Sequence, residues 1–433
     1  MSWPLTVCGE VTWRLHPNSR GTPHGPTLCD VTCNGRWAEL QLLLFSRCIH
    51  SFEFDGLNPL LLFQLKISKM SRLATLPRRL ALLRPLRRTT CTARSYSTAS
   101  EQRLDNRVKI VEVGPRDGLQ NEKNIVPLAT KIELIERLAK TGLQTIEAGS
   151  FVAPKWVPQM ANSSEILSHI LTTPPPSPHP LTYSFLAPNM KGLSNAFSIL
   201  DANPSSFSTE SNPSPSKPSL EMAVFASATE TFSQKNLNAS IAASLEAFRA
   251  VISAAKETPY NLRVRGYISV VLGCPFEGYD VSPHRVAEIA TELLEMGVDE
   301  IALGDTTGMG TAPRTKDLLN CLRSAGIRNE DVAMHFHDTY GQALVNTAVA
   351  LEHGIRTFDA SVSGLGGCPY SPGATGNVAT EDVVYFMESL GMDTGVDLDG
   401  VAEVGEWISK ELGRGNGSTV GRAVLGRRKR KQE

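Results

Sequence analysis

Two histidines, one residue apart, are the sharpest chemical signal in the chain. His335 and His337 stand in HFHD, at the end of an apolar, β-rich run. At i and i+2 on a strand both rings face one side, and two imidazoles aimed at one point make half of a metal site. Asp117 in VGPRDGLQ offers a hard anionic oxygen, and Asn377 in GATGNVATED a neutral one. A set of two histidines and oxygen donors with room for water suits Mg²⁺ or Mn²⁺, with zinc as the alternative. Arg116, next to Asp117, reads either as half of a structural ion pair or as a site residue. In the second reading neighbours at a strand end diverge, so Asp117 meets the cation while Arg116 points at the ligand. A fixed guanidinium there suits an oxyanion that develops during reaction.

Further polar residues close the neighbouring runs. Glu147 ends the second, Asp305 follows the sixth in LGDTTG, and Glu381 lies beyond the eighth. Cys368 sits in SGLGGCPYSPGATGN, which holds five glycines. Such a loop can move over a site, and a thiol in it can act as an acid, a base or a redox sensor. The alternative is a small buried hydrophobe, which two preceding glycines disfavour. Cys274 in LGCPFEG is read as structural. GDTTGMG follows a strand but lacks Gly-Lys-Ser/Thr, so it is no nucleotide loop.

Residues so scattered converge only if the chain supplies a scaffold. From Val108 short β-rich runs alternate with amphipathic helical stretches. Strands are expected at Val108–Val113, Thr145–Ala148, Thr182–Leu186, Met222–Ala226, Val264–Val271, Glu300–Leu303, Val332–Phe336 and Thr357–Val362. Helices are expected at 127–141, 156–171, 189–200, 238–256, 283–296, 312–325, 341–353 and 378–390. Eight such units read as an α/β chain folded into a (β/α)8 TIM barrel over residues 105–410, whose strand C-termini gather the polar residues. A doubly wound sheet would also alternate, but no Gly-rich phosphate loop opens the first helix. Pro/Ser-rich stretches at 174–180 and 203–219 read as exposed insertions on the barrel face away from the chemistry. Residues 400–426 suit one or two further helices. The end of the last helix and the basic tail, 411–433, close the chain, and RRKRK reads as solvated.

The 433 residues carry a net charge of −1, which conceals segregation. Residues 70–100 hold seven arginines and no acid, the tail 427–433 sums to +4, and residues 101–426 sum to −13. An acidic body of this kind disfavours nucleic acid as a partner. Apolar runs are too short to span a membrane. Three separated cysteines after residue 100 build no disulfide framework, which suits a reducing compartment. The arginine-, leucine- and hydroxyl-rich 70–100 has the composition of a mitochondrial transit peptide, which predicts the matrix as destination. Residues 1–69 then read as a non-globular leader or as sequence ahead of the true start, Met70.

The motifs VGPRDGLQNEKNIVP, IEAGSFVAPKWVPQMA, RGYISVVLGCPFEG, LGDTTGMG, HFHDTYGQAL and VSGLGGCPYSPGATGNVATED together resemble the HMG-CoA lyase family. The resemblance runs from about Val108 to Lys410. The Arg-Asp turn and His-x-His are common to a wider group of metal-dependent barrel lyases and acyl-CoA condensing synthases. GGCPYSPGATGN and SFVAPKWVPQMA are particular to the lyases. The resemblance implies cleavage of 3-hydroxy-3-methylglutaryl-CoA to acetyl-CoA and acetoacetate, a step of leucine catabolism and ketone-body formation. It implies Mg²⁺ or Mn²⁺ held by Asp117, His335, His337 and Asn377. Arg116, Cys368, Glu147 and Asp305 would be catalytic, and Lys123, Arg265 and Glu381 would join Arg116 in meeting the substrate. The expected partners are an acyl-CoA and a second copy of the chain in a homodimer. A condensing synthase joining acetyl-CoA to a 2-keto acid is the rival, and a non-catalytic barrel would have been expected to lose a ligand or Arg116.

Overall fold

The structure, a computed structural model, describes residues 106–208, 217–260, 262–367 and 376–432. The leader 1–69, the arginine-rich segment 70–100 and Cys368 lie outside the described residues.

Eight parallel strands close into a barrel in chain order. They are β1 Lys109–Glu112, β2 Thr145–Ser150, β3 Thr182–Leu186, β4 Ser219–Ser227, β5 Arg263–Ser269, β6 Glu300–Asp305, β7 Val332–Phe336 and β8 Thr357–Ala360. Between and after them lie α1 Leu128–Ala139, α2 Ser163–Thr172, α3 Met190–Ala202, α4 Glu230–Leu237, α5 Ile241–Lys256, α6 Pro283–Glu295, α7 Ala312–Ser324, α8 Ala343–Glu352, α9 Thr380–Ser389, α10 Leu398–Glu411 and α11 Thr419–Gln432. Among the described residues no helix is long and apolar enough to cross a membrane.

Pleating divides each strand between two environments. Ile301, Leu303, Met334 and Phe336 face the helices and join the large core packed between strands and helices. Leu186, Ala223, Tyr267, Ala302 and Ala333 form a separate small cluster inside the barrel. The register makes the inner face continuous around the ring. Ala302 is level with Ala333, His335 with Asp359, Val111 with Asp359 and Thr145 with Val111. Arg265, Glu300, Asp359, Glu147 and His335 therefore all point into the lumen. Small alanines at three of its positions leave room for these long polar side chains.

Helix boundaries departed from expectation where local stereochemistry overrode periodicity. The helix expected over 156–171 begins only at Ser163, because Pro154 and Pro158 bend the chain into a loop and a short 3₁₀ turn. The single helix expected at 238–256 is two. Asn238, in the left-handed region with φ 55°, ends α4, and Ser240 caps α5 by accepting from the Ala243 N–H. The stretch at 203–219 is not wholly an insertion. Phe207 is buried edge-on against Tyr260, and Ser219 already belongs to β4. RRKRK is no loose tail: it continues α11, whose first turn is held by Asp382, accepting from Val420 N–H at 2.8 Å and from the Ser418 hydroxyl at 2.6 Å.

Candidate active site and metal centre

The chain leaves β1 through a π-helical turn, Gly114–Gly118, in which the Val113 carbonyl accepts from both Arg116 and Gly118 N–H groups. This turn, and not a strand end, presents Arg116 and Asp117. Their side chains do not diverge. The Arg116 guanidinium donates to Asp117 Oδ1 at 2.8 Å and pairs with Glu147 Oε2 at 2.7 Å across the lumen. It lies 5.5 Å from the centre of the Tyr267 ring. The ion-pair reading of Arg116 holds: the guanidinium is fixed by two carboxylates and an aromatic face, beside the histidine cluster. Burial works against its charge, but Glu147 and Asp117 more than compensate and raise its pKa. Burial would raise Asp117, yet Arg116, His335 and His337 bring it down to about 2.

Asp117, His335 and His337 each present one ligand atom within 4.8 Å of the others. Among the described residues this is the only such group of three histidine, cysteine, aspartate or glutamate side chains. His335 Nε2 is 4.0 Å from Asp117 Oδ2, while its Nδ1 is 3.1 Å from Asp359 Oδ2. His337 Nδ1 is buried with no hydrogen-bond partner among the described residues. Burial and the neighbouring His335 lower the His337 pKa to about 4, which keeps the ring neutral and fit to donate a lone pair. Burial also disfavours charge on His335, but the Asp359 hydrogen bond and the nearby carboxylates reverse this and raise its pKa.

Asn377 completes the ring. It pairs by a backbone bridge with His337, and its amide donates to Asp117 Oδ2 at 2.8 Å and to the Leu365 carbonyl at 3.1 Å. Gly366, at φ 132°, makes this approach possible: a Cβ there would sit 2.6 Å from Asn377 Nδ2. The donor set fits a divalent cation: one carboxylate held ionised, one neutral imidazole with an orphaned nitrogen, a second whose other nitrogen is already committed, and an amide alongside.

Three further expected site residues stand back from the cluster. Arg265 is occupied by carboxylates of the lumen. It is wholly buried below the cluster, donates to Asp359 at 2.6 Å and approaches Glu300 at 3.4 Å. Glu381 is buried behind the mouth, where both its oxygens accept from Ser363 N–H at 2.9 and 3.2 Å. It thereby holds Ser363 in the left-handed region, φ 57°, at the root of the glycine-rich loop. Asp305 closes β6 on the parity of Ile301 and Leu303; its Oδ2 accepts from Gly310 N–H at 2.9 Å, and it lies near enough to His335 to feel that ring's charge. Burial raises its pKa to about 7. Lys123 stays exposed on the loop after β1. Asp338 caps α8 by accepting from Ala343 N–H, and Cys274 is buried against Thr229, in keeping with its structural reading.

Three residues escaped sequence reasoning. Asp359 and Tyr267 stand inside the barrel against His335, with the Tyr267 ring edge-on to the imidazole at 6.3 Å. Gln159 is buried between two mouth loops. Its amide donates to the Glu122 and Asn124 carbonyls, on either side of Lys123, at 2.9 and 2.5 Å, and Val126 N–H donates to it. An acid in the middle of the TFDA run was the available signal for Asp359, because its parity sets it inward.

Glu381 supplies a stability test. Burial raises its pKa from 4.5 to about 8. A carboxyl that binds its proton more tightly in the folded state favours folding below the unfolded value, and that contribution disappears as pH rises towards 8. Wild type should therefore lose thermal stability between pH 5 and pH 8 more steeply than Glu381→Gln, by an amount of order a few kcal/mol. Parallel melting curves for the two proteins across that range would refute it.

A parallel barrel with such a cluster and a clamped guanidinium at its strand C-termini defines an enzyme class. It is that of barrel enzymes that make or break a carbon–carbon bond beside a divalent cation. The chain belongs to the HMGL-like family, whose model matches residues 107–408. It is 49% identical over 322 residues to a 3-hydroxy-3-isohexenylglutaryl-CoA/hydroxy-methylglutaryl-CoA lyase of Pseudomonas aeruginosa, covering 74% of this chain and 98% of that one. It is 46% identical over 349 residues to the mitochondrial hydroxymethylglutaryl-CoA lyase of Macaca fascicularis, covering 81% and 97%. The crystal structure of hydroxymethylglutaryl-CoA lyase from Pseudomonas aeruginosa superposes with a TM-score of 0.66 at 48% identity, over 75% of this chain and 99% of that one. An HMG-CoA lyase from Acinetobacter baumannii, solved with coenzyme A and 3-methylmalate, gives 0.64 at 34% identity over 74% and 95%.

Proposed function

We propose that the protein cleaves 3-hydroxy-3-methylglutaryl-CoA by a retro-Claisen step into acetoacetate and acetyl-CoA. The observation that carries this reading is the placement of the Arg116 guanidinium against Asp117, in the same mouth as the two histidines. Breaking the C2–C3 bond turns the tertiary alcohol carbon into a ketone, with the hydroxyl proton passing to a base of the Asp117–His335 cluster, and leaves the electron pair on C2, the thioester α-carbon, as an enolate. Mg²⁺ or Mn²⁺, held by Asp117, His335, His337 and Asn377, would polarise and orient the hydroxyl. Arg116 places positive charge at the thioester oxygen as the enolate forms. Glu147 fixes the guanidinium from behind, so its N–H bonds are aimed before substrate arrives. Cys368, on the glycine-rich loop, is the proposed acid that returns a proton to C2. Lys123, on the loop whose backbone Gln159 anchors, is the proposed contact for the substrate's anionic part.

We further propose a homodimer and delivery to the mitochondrial matrix. The delivery reading rests on the composition of 70–100 and on mitochondrial relatives; a mature protein whose first residue lies upstream of Met70 would contradict it. The function is tested by acetoacetate release. Purified protein freed of metal should be inactive on 3-hydroxy-3-methylglutaryl-CoA and regain activity with Mg²⁺ or Mn²⁺. No acetoacetate with either ion, alongside condensation of acetyl-CoA with a 2-keto acid, would replace the lyase by a synthase. An arm with the 3-isohexenyl homologue measures how much bulk at C3 the mouth accepts.

A further inference from the structure

We propose that Asp359 is the positioning residue that sets the tautomer and ring orientation of His335, and that Arg265 locks Asp359 in that task. This inference rests on the reading of Asp117, His335 and His337 as a metal site, and it explains what two buried charges do inside the barrel.

The register of β7 and β8 puts Asp359 level with His335, both facing the lumen. Asp359 Oδ2 lies 3.1 Å from His335 Nδ1, and its other oxygen accepts from Arg265 at 2.6 Å. Neither Asp359 nor Arg265 exposes side-chain surface to water. Tyr267 completes the packing: its ring stands edge-on to His335 and lies 5.1 Å from the Arg265 guanidinium. An ionised carboxylate only accepts hydrogen bonds, so the neutral imidazole must carry its hydrogen on Nδ1. The lone pair is then on Nε2, on the side of Asp117, with which Nε2 could make no hydrogen bond of its own. In the neutral ring Nε2 and Asp117 Oδ2 are facing acceptors 4.0 Å apart, an arrangement that a cation resolves.

Arg265 makes the device testable, because guanidinium N–H groups only donate. In Asp359→Asn the amide oxygen must turn to Arg265, which leaves the NH₂ group facing His335 Nδ1. Nδ1 then has to accept, the ring hydrogen moves to Nε2, and the lone pair needed beside Asp117 is gone. The side chain keeps its size and its bond to Arg265, so packing is little disturbed.

The experiment pairs two readouts. Long-range ¹H–¹⁵N spectra of metal-free, histidine-labelled protein are recorded at a pH high enough to neutralise the ring, with His335→Gln used to assign its signals. Wild type should show the Nδ1–H tautomer, and Asp359→Asn the Nε2–H form. Mn²⁺ titration followed by electron paramagnetic resonance should show affinity falling about 10–100-fold in Asp359→Asn, with a melting temperature close to wild type. An Nε2–H tautomer in wild type overturns the proposal, as does Mn²⁺ affinity in a folded Asp359→Asn within twofold of wild type. If Asp359→Asn does not fold, the wild-type spectrum decides. Failure of wild type to bind Mn²⁺ at all would instead overturn the metal reading, which separates the two.

Discussion

Arg116→Gln should lower turnover of 3-hydroxy-3-methylglutaryl-CoA by at least about 10²–10³-fold while Mn²⁺ affinity stays within a few-fold of wild type. Removing one preorganised donor from a developing oxyanion costs about that much, and here the lost donor also carries the charge. Arg116 is not itself a metal ligand, so the cation should bind nearly as before. Glutamine can still donate towards Asp117, but it cannot neutralise Glu147. Burial already raises the Glu147 pKa, with the Arg116 charge the largest opposing influence, so in the variant Glu147 should take up a proton. Arg116→Gln should therefore lose folding stability as pH rises, since a buried carboxyl left alone folds best protonated. Adding Glu147→Gln should recover that stability without recovering turnover. A single variant with unchanged turnover would remove Arg116 from the chemistry, and recovery of turnover in the double variant would make its role purely structural.

The barrel was legible because its strands are buried on both faces yet keep strict parity, which the runs Val332–Phe336 and Thr182–Leu186 display to the residue. The metal cluster was legible for a related reason: His335 and His337 obey the same two-residue period as the lumen face. Burial was not legible. The resemblance put Lys123, Arg265 and Glu381 together as substrate contacts, and only three dimensions separate an exposed loop lysine from an arginine sealed in the lumen and a glutamate buried behind it. Asp305 stands at a strand end, where one residue of parity decides between lumen and helix side. Asp359 was not legible because the chemistry-bearing residues cluster beyond the strands, while the support of His335 comes from the strand beside it. Helix starts were misplaced where prolines and an Asn–Ala–Ser junction override the apolar period, as at 156–162 and 238–240.

The second large effect is expected at Asp117. Its carboxyl, with a pKa of about 2, is ionised at every pH at which the protein would be assayed. Asp117→Asn should weaken Mn²⁺ binding at least about 30-fold and abolish measurable cleavage at micromolar metal. Two unit charges about 4 Å apart interact by about 4 kcal/mol at an effective dielectric near 20. Even half of that is about a 30-fold change in affinity, and a doubly charged ion loses more. The neutral amide still fits the space, so folding should survive: Arg116 keeps Glu147 as a partner at 2.7 Å. The two variants should then split cleanly. Asp117→Asn should regain part of its turnover as Mn²⁺ rises into the millimolar range, because its main defect is occupancy. Arg116→Gln should not respond to added metal, because its defect arises after binding. Equal response of both to metal would mean that Arg116 and Asp117 act as one unit through their shared 2.8 Å contact, and that cation and oxyanion are not managed by separate residues.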